Sequence, residues 1–142
     1  MNVVDPLTNF DILHYAKVVG LPHFRGIYMR DTLPATGSRD KECGVMNFNL
    51  STESGSHWVC YFRDGKRRIY FDSFGQITPI EMQRYLKTKQ EFEEDRQVIQ
   101  RNTDIVQELN TNVCGHLCLV VLTALSKEGK SFQEILNILR CM

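Results

Sequence analysis

The 142-residue sequence lacks net charge, because its 17 Lys and Arg residues are balanced by 17 Asp and Glu residues. This balance argues against a strongly basic nucleic-acid-binding protein, although it leaves room for a local basic patch. No apolar run approaches the roughly 20 residues that a membrane span needs. The N-terminus also lacks a basic stretch followed by an apolar one, so we expect neither a membrane span nor a signal peptide.

A secreted disulfide framework is also missing, since the five cysteines are an odd and sparse set. We therefore expect free thiols in a reducing compartment, with Cys43, Cys60 and Cys118 as small buried apolar residues. No internal repeat, low-complexity tract or long linker interrupts the chain. Its length and composition fit one domain over residues 1–142.

Local patterns predict an α+β fold in which helices pack around a small mixed, mostly antiparallel sheet. The predicted helices begin at Thr8 or Asn9, at the capping-box pattern of Thr78, at Cys114 and at the capping box of Ser131. The first should end at Gly20 and the second near Leu86. Short strands are predicted at 23–29, 43–50 and 98–101, a polar loop at 30–41, and a solvated turn or helix face at 91–95.

The clearest local pattern is a hairpin of two β-rich runs, 57–63 and 66–73, on either side of Asp64-Gly65. Asp-Gly is a favoured two-residue hairpin loop. With that loop, His57 lies directly opposite Asp72 on the same face, with Cβ atoms about 5 Å apart. A carboxylate beside an imidazole fixes its tautomer and stabilises its charged form. The hairpin therefore predicts a His–Asp pair.

Cys114 lies where the polar loop 110–113 gives way to an apolar helix. The positive end of the helix dipole and a neighbouring imidazolium both favour a thiolate there. Gly115 leaves room for the close approach of a substrate backbone. Gln107 is a candidate side-chain donor to an oxyanion, with the backbone N–H of Cys114 as the second donor. We therefore predict a cysteine endopeptidase with His57, Asp72, Gln107 and Cys114 as its catalytic residues.

Two other clusters carry alternative chemistry. Zinc sites usually combine Cys pairs at short spacing with a second, distant pair. Cys114, His116 and Cys118 occupy positions i, i+2 and i+4 of the predicted helix, and side chains at that spacing do not point to one place. The sequence also has no matching distant pair, so we expect no metal site. At the hairpin tip, a basic cluster is either a solubilising turn or a weak contact for nucleic acid or an acidic partner. Its members are Arg63, Lys66, Arg67 and Arg68.

Several motifs resemble those of the adenovirus protease family, in order and with similar spacing over nearly the whole chain. They are FRGIYMRDTLP (24–34), CGVMN (43–47), GSHW (55–58), YFDSFG (70–75), Gln107 and CGHLC (114–118). The sequence most resembles the proteases of Polinton (Maverick) elements and adintovirus-like DNA viruses. The resemblance implies the papain-like fold of the adenain and SUMO-protease clan, in which the cysteine begins a central helix packed on a sheet.

The resemblance also implies roles for four residues: nucleophile for Cys114, general base and acid for His57, orienting acid for Asp72 and oxyanion donor for Gln107. It implies cleavage of viral capsid or core precursors, often near Gly-containing sites, during virion maturation. Action would then take place in the host cell, at the nucleus or an assembly site, and in the virion. Two alternatives stay open: an isopeptidase for a ubiquitin-like modifier, and a catalytically silent binding module.

The two modes of activation of the adenovirus enzyme do not carry over directly to this sequence. That enzyme links a cysteine to an activating peptide and uses DNA as a cofactor. No cysteine lies between Cys60 and Cys114 here, so that covalent mode is not carried over. The neutral charge balance argues against DNA activation, and the hairpin-tip cluster leaves weak binding open. The sequence itself requires no cofactor.

Overall fold

The computed structural model describes residues 5–52, 57–107 and 111–141. Gly55 and Ser56 of the GSHW motif, and Asn110 of the loop before Cys114, lie outside the described residues. Helices and strands alternate irregularly along the described chain. They are α1 (Asn9–Val19), β1 (Phe24–Met29), β2 (Lys41–Asn47), β3 (Trp58–Asp64), β4 (Arg67–Phe71), α2 (Ile80–Leu86), α3 (Lys89–Glu93), β5 (Ile99–Arg101), α4 (Cys114–Ser126) and α5 (Phe132–Arg140).

The five strands form one sheet in the order β1-β2-β3-β4-β5. The central pairings, β2 with β3 and β3 with β4, are antiparallel, whereas both outer pairings are parallel. The predicted α+β fold with a mixed sheet is confirmed, with antiparallel pairing confined to its centre.

Helices cover both faces of this sheet, which explains why β2 and β3 are buried along most of their length. On one face, α1, α4 and α5 supply Ile12, Leu122 and Ile135 to the main core. On the other face, Met82 and Leu86 of α2 pack against Tyr61 and Tyr70 of the sheet. Cys114 therefore begins a helix that packs on the sheet, as predicted.

The ends of α1 follow the sequence signals. Thr8 accepts a hydrogen bond from the Asp11 N–H in a complete capping box, and Gly20 ends the helix with φ 73°. The predicted apolar face is only partly buried, since Ile12 and Ala16 are in the core and Phe10 is exposed.

The predicted Thr78 cap of α2 is wrong. The N-cap of this helix is Pro79, with no side-chain cap, and the Thr78 hydroxyl is buried without a described partner. A complete capping box forms instead at the next short helix, where Thr88 and Glu91 bond each other's backbone N–H groups. Ser131 caps α5 by accepting from the Glu134 N–H, as predicted.

The hairpin forms, but its predicted register is wrong by two residues. Asp64 pairs with Arg67 and Arg63 with Arg68, so the two-residue loop is Gly65-Lys66 rather than Asp64-Gly65. Gly65 takes φ 62° at the first loop position and donates its N–H to the Asp40 carbonyl at 2.8 Å. A shift of two residues keeps every side chain on its original face. The predicted His–Asp contact therefore survives the error.

The hairpin-tip basic cluster does not form one patch. Arg68 is buried and makes a two-pronged ion pair with Glu91, at 2.6 and 3.0 Å. Arg67 stacks over the Phe62 ring, and Arg63 donates to Ser38. Arg68 is thus unavailable to nucleic acid. Among the described helices, none has the length and apolar character needed to cross a membrane.

Candidate active site

His57 and Asp72 lie just outside their strands, before β3 begins and after β4 ends. His57 Nε2 lies 2.7 Å from Asp72 Oδ1, although the two residues are not directly opposite in the hairpin register. Extending that register places Phe74 opposite His57, so the His–Asp contact runs diagonally across one face. Because Nε2 bonds the carboxylate, the ring nitrogen left for the nucleophile is Nδ1.

The turn after β4 holds the Asp72 carboxylate in place. The Phe74 N–H donates to Oδ1 at 2.8 Å, and the Gly75 N–H donates to the Asp72 carbonyl at 2.8 Å. Asn102 brackets the Asp72 backbone, since its Oδ1 accepts from the Asp72 N–H and its Nδ2 donates to the carbonyl. Asp72 is completely buried. The carboxylate therefore has little freedom to turn away from His57.

Cys114 is the first residue of α4, where the N-terminal N–H groups have no intrahelical partner. Its thiol is close enough to the His57 side chain for each group to shift the pKa of the other. The Trp58 N–H points at Cys114 Sγ from 3.4 Å, and the Gly115 N–H also favours the thiolate. The structure thus brings together three of the predicted residues and surrounds the sulfur with hydrogen-bond donors.

These contacts shift the pKa values of the Cys114–His57 pair in opposite senses. Burial raises the pKa of Cys114, but hydrogen bonds from His57 and the Trp58 N–H outweigh it and lower that pKa below its ordinary value. Burial lowers the pKa of His57, but the hydrogen bonds to Asp72 and Cys114 outweigh it and raise that pKa to about 9. Both directions favour a thiolate–imidazolium pair at neutral pH.

Aromatic and apolar groups enclose the pair. The Phe74 ring stacks on the His57 imidazole, with centroids 4.6 Å apart and planes 24° apart. The Trp58 indole donates Nε1–H to the Leu7 carbonyl at 2.9 Å. A Cβ at position 115 would lie 3.2 Å from both Leu7 and Trp58, so the space provided by Gly115 is already filled by these two side chains. This packing limits water access to the sulfur.

Gln107 lies between the turn that carries Asp72 and the segment that leads to Cys114. Its Oε1 accepts from the Ser73 hydroxyl at 2.5 Å, and Ser73 directly follows Asp72. Its Nε2 donates to the Thr111 carbonyl at 2.9 Å and to Thr111 Oγ1 at 2.8 Å, three residues before Cys114. Both amide hydrogens are therefore engaged within the free protein. The oxyanion-donor role of Gln107 stays a prediction.

Ser73, Phe74 and Asn102 take part in the site but were not predicted from the sequence. Ser73 and Phe74 adjoin Asp72, so their position next to the predicted acid was the available signal. Asn102 lies 30 residues further along and gave no local signal. Its role arises because β5 pairs beside β4, and that pairing brings the segment after β5 to the turn after β4.

Two cavities differ in their relation to this site. The larger, of about 620 Å³, lies between the 35–38 loop and the α2–α3 region and is lined by none of the four predicted catalytic residues. A second, of about 550 Å³, adjoins Trp58 and is bounded by Leu7, Tyr28 and Asn47. This smaller cavity is also lined by none of the four residues, but it is the better candidate for a substrate cleft, because the backbone N–H of its lining residue Trp58 points at Cys114 Sγ.

Cys114, His116 and Cys118 follow one another at two-residue spacing in α4. Cys118 is a free thiol that is fully buried in the main core. Among residues 5–52, 57–107 and 111–141, no group of three His, Cys, Asp or Glu side chains is placed to hold a metal ion.

Comparison with known proteins yields matches in structure. A protease of African swine fever virus (ASFV) superposes with a TM-score of 0.59 and 18% identity, over 92% of this chain and 61% of that one. Its selenomethionine form gives a TM-score of 0.55 and 19% identity over the same shares. The SUMO protease Ulp1, with its catalytic cysteine oxidised to a sulfinic acid, gives 0.51 and 15%, over 96% of this chain and 74% of that one.

These likenesses define the class of fold: the chain has the papain-like fold of SUMO-protease-type cysteine peptidases. It spans about three fifths of the length of the viral protease that it matches. No protein-family model and no curated protein sequence matches it.

Proposed function

We propose that this chain is a cysteine endopeptidase in which Cys114 is the nucleophile and His57 is the general base and acid. One observation carries the proposal: His57 bonds Asp72 through Nε2 at 2.7 Å, and its side chain also lies near enough to the Cys114 thiol, at the start of a helix, for the two groups to shift each other's pKa. A nucleophile, a base and an orienting carboxylate in contact are the elements of a thiol-protease triad. The fold shared with ASFV and SUMO proteases supports it.

The chemistry follows from these contacts. The Cys114 thiolate attacks the scissile carbonyl carbon, forming a C–S bond and an oxyanion that accepts hydrogen bonds from Gln107 and the Cys114 N–H. His57 then donates its proton to the leaving amine as the C–N bond breaks, leaving a thioester. His57 next takes a proton from water as the water oxygen attacks the thioester carbonyl; the C–S bond then breaks, which releases the acid and restores the Cys114 thiolate beside the His57 imidazolium.

The substrate we propose is a viral or virus-like precursor polypeptide, cleaved during particle maturation. Two observations support this choice: the motifs resemble proteases of adenovirus and Polinton-like elements, and one structural neighbour is a viral protease. Removal of a ubiquitin-like modifier is the second candidate, because the SUMO protease Ulp1 matches over 96% of this chain. The cavity beside Trp58 would receive part of the substrate in either case.

Active-site labelling tests the enzyme class. Iodoacetamide at pH 6–7 should modify Cys114 rapidly and selectively in the wild type, as located by peptide mass spectrometry. The rate at Cys114 should fall at least about tenfold in His57→Ala and Asp72→Asn, because the neighbouring imidazolium sustains the thiolate. Slow labelling spread over several cysteines and indifferent to His57 would contradict the proposal.

Substrate class requires a separate comparison. The wild type and Cys114→Ala should be incubated with a peptide library and, in parallel, with a SUMO-conjugated protein. Cleavage of peptides alone, dependent on Cys114, supports the precursor-processing endopeptidase. Cleavage of the conjugate alone supports the isopeptidase, and cleavage of neither by a selectively labelled enzyme contradicts both substrate proposals under these conditions.

A further inference from the structure

The amide of Gln107 has two possible orientations, and only one of them aims its hydrogen-bond donors at the chain leading to Cys114. A carboxamide carries a C=O acceptor and an NH₂ donor on nearly identical arms. An oxyanion can be stabilised only by the NH₂ arm. Whatever fixes the orientation of this amide therefore decides whether Gln107 can act as an oxyanion donor.

Ser73 anchors the acceptor arm of this amide. Its hydroxyl donates to Gln107 Oε1 at 2.5 Å, and Ser73 is fully buried while Gln107 is only 4% exposed. On the other arm, Nε2 donates to both the carbonyl and the hydroxyl of Thr111. A hydroxyl can donate or accept, so Ser73 alone would tolerate either orientation, whereas a flipped amide would point its C=O at the Thr111 carbonyl, which only accepts. The Thr111 carbonyl therefore selects the observed orientation, and the Ser73 hydroxyl holds Oε1 in it.

The backbone around Ser73 is itself fixed. The Ser73 carbonyl accepts from the Val106 N–H at 2.8 Å, which joins the turn after Asp72 to the segment carrying Gln107. A Cβ at Gly75 would lie 2.6 Å from the Asp104 carbonyl oxygen, so these two segments approach as closely as glycine allows. The Ser73 hydroxyl and Gln107 are thus presented to each other by two rigidly joined backbones.

We infer that Ser73 is a positioning residue that anchors Oε1 of the Gln107 amide for oxyanion stabilisation, so that it acts on the reaction only through Gln107. This inference rests on the proposed function. Because both Nε2 hydrogens are engaged by Thr111 in the free protein, an oxyanion takes over at least one of those bonds. Ser73 keeps Oε1 fixed while that exchange occurs.

Two reagents distinguish a role of Ser73 in positioning Gln107 from a general role in the stability of the site. Hydrolysis of p-nitrophenyl acetate passes through an oxyanion, whereas alkylation by iodoacetamide reports the thiolate and forms no oxyanion. In Ser73→Ala we expect kcat/KM for the ester to fall about tenfold, less than the 10²–10³ typical of deleting an oxyanion donor. The alkylation rate of Cys114 should stay within about twofold of wild type, because Ser73 does not contact the Cys114–His57 pair.

A double-mutant cycle tests whether Ser73 acts through Gln107. Adding Ser73→Ala to Gln107→Ala should cause no further loss of ester hydrolysis, since the amide to be oriented is gone. Ser126→Ala is the matched control, because it removes a hydroxyl bonded to a backbone carbonyl in α4 far from Gln107. Losses that multiply in the double variant, an unchanged ester rate in Ser73→Ala, or a parallel fall in alkylation would each overturn the inference.

A structural readout stands apart from activity. The ¹⁵N-labelled side-chain amide of Gln107, assigned with Gln107→Ala, should shift and exchange its hydrogens faster with water in Ser73→Ala. If Ser73→Ala does not fold, Ser73→Cys supplies a near-isosteric side chain with a weaker donor, and the same changes should appear in reduced form. Unchanged amide signals would overturn the inference even if the wild type proved inactive. Inactivity of the wild type towards both reagents would instead contradict the proposed function.

Discussion

At the residue scale, the pair formed by Cys114 and His57 determines how reactivity depends on pH. The pKa of Cys114 is lowered by hydrogen bonds that outweigh its burial, so its thiolate should persist below the ordinary thiol range. We expect the half-maximal pH of the alkylation rate at Cys114 to lie below the ordinary thiol value. In His57→Ala burial acts with less opposition, so the half-maximal pH should move upward. Profiles of the iodoacetamide rate against pH measure the half-maximal pH of the wild type and of His57→Ala. Superimposable profiles would contradict the pairing of Cys114 with His57.

His57 itself should titrate at about 9 in NMR spectra of its ring protons, as its raised pKa indicates. Because the folded-state pKa is raised, the imidazolium contributes stability that is complete below about 6.5. That contribution is lost as the pH rises through about 9. The His57 ring is therefore expected to be protonated throughout the neutral range, as the proposed mechanism requires.

The Phe74 ring is predicted to contribute to that raised pKa. It stacks on the His57 imidazole at 4.6 Å, and an aromatic face stabilises a cation by about 0.5–1 kcal/mol. Phe74→Leu should therefore lower the pKa of His57 by roughly half a unit in the NMR titration. Phe48→Leu is the matched control, since that ring is tilted and 6.2 Å away, and should change the pKa little. Equal shifts in the two variants would show that the stack has no special effect.

At the element scale, one ion pair joins β4 to α2 and α3. Arg68 donates to both Glu91 oxygens and to the Leu86 carbonyl at the end of α2, while Glu91 also accepts from the Thr88 N–H. Charged hydrogen bonds of this kind contribute about 2 kcal/mol. Glu91→Gln should lower the free energy of unfolding by about that amount at pH 7, as measured by urea denaturation.

The same pair predicts a dependence on pH. The hydrogen bonds from Arg68 lower the pKa of Glu91 to about 2 from an ordinary value of 4.5. Its contribution is therefore complete above about 4.5 and is lost as the pH falls towards 2. The stability difference between wild type and Glu91→Gln should shrink over that range. Glu94→Gln, whose partner Arg96 is half-exposed, is the control and should change stability by less than about 0.5 kcal/mol throughout.

The hairpin shows what the sequence could and could not predict about elements. Both strands, the shared face of His57 and Asp72, and the start of α4 at Cys114 follow from patterns local to a few residues. The register does not, because Gly65 is held by the carbonyl of Asp40, which is distant in sequence. The missed cap of α2 has a similar cause: Thr78 is buried, so its hydroxyl is not placed at the helix end.

At the scale of the whole molecule, contacts between distant segments were invisible to sequence patterns. Glu42 is buried and accepts from Arg25, Tyr61 and Tyr85, which come from three different elements. An isolated charged residue in a strand reads as solvent-exposed, because its burial depends on partners that only the fold brings near. Asn102 at the candidate site was missed for the same reason. Sequence patterns thus predicted that His57, Asp72 and Cys114 come together but not the contact of Asn102 that holds Asp72.

The five cysteines offer a test of the whole fold. Cys43, Cys60 and Cys118 come from β2, β3 and α4 and lie in one core, each at most 1% exposed. Burial raises the pKa of Cys43 to about 12 and that of Cys118 well above its ordinary value. In native protein at pH 7 we therefore expect rapid labelling at Cys114, slower labelling at exposed Cys141, and at least about a thousandfold protection of the three core thiols.

The three core thiols should become reactive together as urea is added, because labelling any of them requires the helical layer to leave the sheet. Pulsed alkylation followed by peptide mass spectrometry measures each site, and circular dichroism measures unfolding in the same samples. Coincident midpoints at the three sites and in the spectrum are the expected result. Labelling of Cys118 at lower urea than Cys43 and Cys60 would show instead that α4 separates from an intact sheet. Cys114 would then lie on an element that is less stable than the strands next to His57 and Asp72.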